Sequence, residues 1–296
     1  MLCRLLHALP REFCSATKNF LETVLVTAAC RGGKPLVINW LLGQLQQHKE
    51  LQPYQYHYWF RTACNAGHEE AAATIFAWCP SWPNKMKDLF LDVAREGHVG
   101  VIKLLHEKFK LNKRNDSDCI GDAVELASSG GHRDLVTFLC TTFDLSAWDT
   151  HEAFRTACEK GRLNVVKYLH ERTAFAAVGV LKHHIDALRA AVKNKHLSVV
   201  KFLCKRLHLT ADHVKTNGYI VLTEALKTMS LDMIRYLHTQ LQLQSIDWYD
   251  LFDYELINSR FLSGRQLCLR NTTIKTRTGW HSNREFGQFL RTEVFV

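Results

Sequence analysis

Sixteen histidines and ten cysteines among 296 residues are the side chains best suited to chemistry here, and zinc ligation and nucleophilic or acid–base catalysis compete for them. Spacing argues against zinc. Its ligands must converge on one ion at about 2.0–2.3 Å, and neither Cys-x-x-Cys nor His-Glu-x-x-His occurs. His106, Cys140, His170, Cys204 and His238 recur once per repeat at the end of a second helix, and rungs ~10 Å apart cannot share an ion. His183 and His184 fall in an inter-repeat segment, where a surface role is expected. His68, His98, His132 and His196 follow a glycine column, with Arg162 standing in once. A residue repeated in every unit serves a task repeated in every unit, whereas catalysis needs a nucleophile or acid beside one particular histidine. Asp247, Asp250 and Asp253, with Glu255, read as a solvated helix face. No Gly-rich phosphate loop or nucleophile elbow is present, so no enzymatic activity, metal or cofactor is expected.

The elements that must hold these residues repeat. Gly33, Gly67, Gly97, Gly131, Gly161, Lys195 and Met229 share one column, and Phe-Arg-Thr-Ala-Cys occurs twice in the same register, at Phe60–Cys64 and Phe154–Cys158. Before the column lies a stretch with small and apolar residues at helical spacing, such as Phe154, Ala157 and Cys158. After it comes a more apolar one, Leu163, Val165, Val166, Tyr168 and Leu169. This predicts helix, turn, helix, with glycine where the first helix must stop and reverse through a left-handed residue. The column positions step by 34 or 30 residues, and units of about that length stack on one another into assemblies that usually bind.

The wording Ala-x-x-x-Gly-His-x-x-Val-Val-x-x-Leu, carried by Val93–Leu105, Ala157–Leu169 and Ala191–Leu203, resembles the core of the ankyrin repeat. The resemblance implies an all-α ankyrin-like helical-repeat solenoid of about seven to eight units over residues 23–257, after an N-terminal capping helix at 1–22. It further implies a non-enzymatic scaffold for protein–protein interaction, and the style of repeat is similar to arrays of protists and large DNA viruses, which suggests a host-interaction protein. The histidine after the glycine is expected to pin its turn to the neighbouring unit. The Thr-Pro-Leu-His opening and the Gly-Ala turn of standard ankyrin units are missing, which leaves their β-hairpin fingers in doubt.

Cysteine usage without a recognisable leader fits reduced thiols in the cytoplasm or nucleus, or the host cytosol if viral. Cys30, Cys64 and Cys158 share one column and Cys140 and Cys204 another, as packed hydrophobes would. No run of apolar residues is long enough for a membrane span. For a protein partner, whose identity and stoichiometry with this chain stay open, the contact candidates are Tyr54, Tyr56, Tyr58 and Trp59 in one aromatic segment, with Trp148 at the register of Tyr54. Those rings could equally seal one repeat to the next. Lys103, Lys167, Lys201 and Arg235 form an outward column that reads as solvated helix surface. The last segment, 258–296, is basic and non-repeat, with seven Lys and Arg against Glu285 and Glu293, five of the chain's net charge of +9. Its β-prone Thr272–Ile274 could form strands, and its charge supports an alternative function as a nucleic-acid-associated protein.

Overall fold

The computed structural model describes residues 15–48, 51–79, 81–82, 86–172, 180–216, 219–228, 230–244 and 247, together with 267–268, 273–276, 279–281, 288–289 and 292–293. Helices come in pairs: α1 Ser15–Arg31 with α2 Pro35–His48, α3 Pro53–Asn65 with α4 Glu69–Trp78, α5 Lys87–Glu96 with α6 Val99–Phe109, and α7 Lys113–Gly130 with α8 Arg133–Thr142. Then follow α9 Ala147–Glu159, α10 Leu163–Arg172, α11 Val180–Lys193, α12 Leu197–Arg206, a short α13 Ala211–Thr216, α14 Ile220–Thr228 and α15 Leu231–Leu241. The chain divides into two compact units, 1–150 and 151–296. Within the first, α1, α3, α5 and α7 pack each on the next, and so do α2, α4, α6 and α8. Within the second, α11 packs on α14, α10 on α12, and α12 on α15. The described residues up to 247 form an all-α fold, as expected from the periodicity.

One local device makes six of these pairs, from α1–α2 to α11–α12. Gly33, Gly67, Gly97, Gly131 and Gly161 take φ of 60–87°, and Lys195 takes 63°. The backbone N–H of the following residue donates to the carbonyl five residues back: His68 to Ala63, His98 to Val93, His132 to Ala127, Arg162 to Ala157 and His196 to Ala191, at 2.8–3.3 Å. That closure satisfies carbonyls the ending helix leaves open. The carbonyl of the same residue then accepts the first bond of the next helix, from Ala72, Ile102, Val136, Val166 or Val200. Small residues such as Ala63, Ala127, Ala157 and Ala191 sit inside this reversal fully buried, and so do the pairs Val165–Val166 and Val199–Val200.

Four of the second helices, α6, α8, α12 and α15, are followed by another left-handed residue, Lys110, Asp144, His208 and Gln242, none of them glycine. A buried leucine follows each, Leu111, Leu145, Leu209 and Leu243. With α7 starting at Lys113 and α9 at Ala147, these connections leave no room for a β-hairpin.

The C-terminal segment departs from an all-α chain. Leu267–Cys268, Thr273–Thr276 and Gly279–His281 form strands β1, β2 and β3 of an antiparallel sheet in that order, with Ile274 opposite Leu267 and His281. The β-prone stretch expected from the sequence is therefore β2. Farther on, the buried Phe289 lies 5.7 Å edge-on from His238, with Arg235 5.9 Å above its ring and bonded to Glu293 at 3.3 Å. In the first unit Phe138 stands in the same relation to the preceding second helix, 6.4 Å from His106 and under Lys103 at 5.6 Å. Phe289 thus fills against α15 the place that a further repeat would fill with its own aromatic residue.

Candidate partner-binding face

The aromatic segment folds as the start of α3. Pro53 supplies the fixed φ favoured at the first helical position, and Gln55 Oε1 accepts the Gln52 backbone N–H at 3.0 Å. With the start set there, helical spacing sends residues 56, 59, 60, 63 and 64 inward and 54, 58, 61 and 65 outward. Tyr54 is 70 % exposed and Tyr58 52 %, whereas Tyr56 and Trp59 are each 1 % exposed. Tyr56 and Trp59 are accordingly removed from the contact candidates. They meet edge to face at 6.0 Å, and the Tyr56 hydroxyl accepts a bond from Gln46 Nε2 at 2.9 Å. Trp148 opens α9, but its side chain lies outside the described residues.

On the exposed side a cleft of about 400 Å³ is lined by Arg31, Tyr58, Arg61, Thr62, Asn65 and Ala66. The sequence reading missed Arg31, Arg61 and Asn65; for Arg61 and Asn65 the signal was the 54, 58, 61, 65 spacing, legible once the helix is known to begin at Pro53, whereas nothing in the spacing places Arg31 of α1 there. Arg61 donates to Asp92 Oδ2 of α5 at 2.6 Å, and Arg95 reaches the other oxygen at 3.5 Å. The column histidines hold the backbone beneath. His68 Nε2 lies 2.9 Å from the Arg31 carbonyl oxygen and His98 Nε2 3.2 Å from that of Asn65. Because a carbonyl only accepts, Nε2 carries the proton in both. His132 makes the same bond to Arg95 at 3.0 Å.

The remaining sequence candidates go to packing. Lys103 and Lys201 are exposed, yet each lies 5.6 Å above an aromatic ring of the following second helix, Phe138 and Tyr236. His170 packs edge-on to Phe202 at 5.5 Å. His184 is 2 % exposed between Phe154 and His170, so the surface role expected for it does not hold, while the His183 side chain lies outside the described residues. Asp247 is likewise buried, accepting the Gln244 N–H at 2.7 Å, and Asp250, Asp253 and Glu255 lie outside the described residues. Cys30, Cys64, Cys140, Cys158 and Cys204 are buried. Burial pushes the Cys30 and Cys204 thiols up to about 12 and raises those of Cys64 and Cys158 as well, which keeps these four protonated and unreactive. Among the described residues no group of three or more His, Cys, Asp or Glu side chains could hold a metal ion, and no helix is long and apolar enough to cross a membrane.

No known protein-family model matches the chain, and no curated protein matches it.

Proposed function

We propose that this chain is an ankyrin-like repeat array that acts as a non-enzymatic protein-binding scaffold, using the exposed face of its first helices. The observation that supports this most is a division of labour. Column glycines, histidines, cysteines and second-helix cations are taken up by packing, whereas Tyr54 and Tyr58 project exposed from α3, and Tyr58 lines the cleft. Binding energy concentrates in such tyrosine and arginine anchors. The test is affinity capture with wild type and a Tyr54→Ala/Tyr58→Ala variant, each checked for an unchanged melting temperature. A partner retained by wild type and lost from the variant supports the scaffold; equal capture by both removes these rings from the interface. Trp59→Ala serves as the contrast, expected to lower stability by about 3–5 kcal/mol because it empties a core site.

A further inference from the structure

Resting on that protein-binding reading, we propose that the cleft between α1 and α3 accepts an acidic side chain of a partner peptide, with Arg31 as the charge anchor and Tyr58 as its wall. Among the described residues Arg31 is exposed and its guanidinium makes no ion pair or hydrogen bond, and the Tyr58 hydroxyl has no partner either. Both groups line the same cleft. The neighbouring Arg61 shows the contrast: its fork is held by Asp92, a carboxylate that also takes Arg95. Asp92 thus takes two guanidinium groups, while Arg31, on the lining of the same cleft, has no carboxylate partner among the described residues and leaves a positive charge there. At about 400 Å³ the cleft is large enough for a side chain and part of its backbone. Planar, multi-donor guanidinium suits a carboxylate, which can accept two parallel bonds. The backbone beneath is braced by His68 and His98, so little ordering accompanies binding.

A nucleic-acid backbone fits the cleft less well. It calls for a track of several free cations, whereas this site offers one unpaired guanidinium beside a tyrosine ring. The exposed Lys103 and Lys201 belong to the second helices and are already seated on aromatic rings.

The experiment uses the full chain against an array of short peptides, each with a central Glu or Asp and a counterpart in which that residue is Gln or Asn, followed by fluorescence anisotropy on the strongest binder. A single-stranded oligonucleotide is titrated in parallel. Binding to acidic peptides over their amide counterparts is expected, weakened about tenfold or more by Arg31→Gln and by Tyr58→Ala, with partial recovery in Arg31→Lys. Melting temperature reports folding, and neither exposed side chain should change it. Absence of any acid-over-amide preference, wild-type affinity in Arg31→Gln, or binding of the oligonucleotide in place of the peptides overturns the proposal. A partner captured through Tyr54 and Tyr58 but indifferent to Arg31→Gln overturns the cleft assignment while leaving the scaffold standing.

Discussion

The turn at Gly161 and the turn at Lys195 have nearly the same backbone, with φ of 70° and 63°, yet one carries no side chain and the other a long one. What lies above them differs. The ring of His196 covers Gly161 so closely that a methyl group there would fall 2.5 Å from Nδ1, and Gly33 under His68 and Gly67 under His98 are equally tight, at 2.5 and 2.6 Å. At the matching position above Lys195 the next repeat has Ser230. Glycine at positions 33, 67, 97 and 161 therefore answers two demands, a left-handed φ and the close approach of the histidine in the following helix pair. Where the histidine is gone, only the first demand remains, and lysine tolerates it at a modest penalty.

The strongest way to break the comparison is Gly161→Val. It imposes a β-branched residue on a left-handed φ and drives it into the His196 ring, so a loss of about 2–4 kcal/mol is expected in denaturant unfolding. A loss of only ~1 kcal/mol would mean that the ring yields and that φ alone accounts for the glycine. The comparison is sharpened by building the missing pair at the other turn. Ser230→His alone should destabilise by about 1–2 kcal/mol because its ring meets the Lys195 side chain, Lys195→Gly alone should change stability by less than about 1 kcal/mol, and the two together should recover most of the loss. A double-mutant cycle with no coupling would separate the two columns.

A smaller effect concerns acid. His170 has its pKa lowered from the ordinary imidazole value, first by burial and then by Arg206, with Glu171 opposing. The native state thus favours the neutral ring and the unfolded chain binds the proton more readily. The stability this gives is complete above about pH 6.5 and is lost as pH falls from there through the folded-state pKa. His170→Gln should flatten that acid limb in melting curves taken across the range, and an unaltered limb would place the titrating group elsewhere.

Much of the fold is legible along the chain because its turns obey rules that act within six residues. Glycine at a left-handed position, a small residue at the base of the reversal and paired β-branched residues in the second helix carry these signals whatever surrounds them. The column histidines could be set aside as structural for the same reason, and their bonds to Arg31, Asn65 and Arg95 show the physical task they share. The candidate face was only half legible. Tyr54, Tyr56, Tyr58 and Trp59 look alike as a composition, and the 100° step of a helix beginning at Pro53 sorts them into two exposed and two buried.

By itself, then, the sequence determined the period, the reversal at each glycine column and the absence of recognisable catalytic or zinc motifs, since all of these reside in local backbone preference and spacing. Tertiary structure alone decided that Phe289 packs against α15 and that Lys103 and Lys201 are seated on the rings of the following second helix. It alone brought Arg31 of α1 beside Tyr58 and Arg61 of α3. Those outcomes depend on which helix faces meet across dozens of residues, and burial between neighbours has no signature in the spacing of either one.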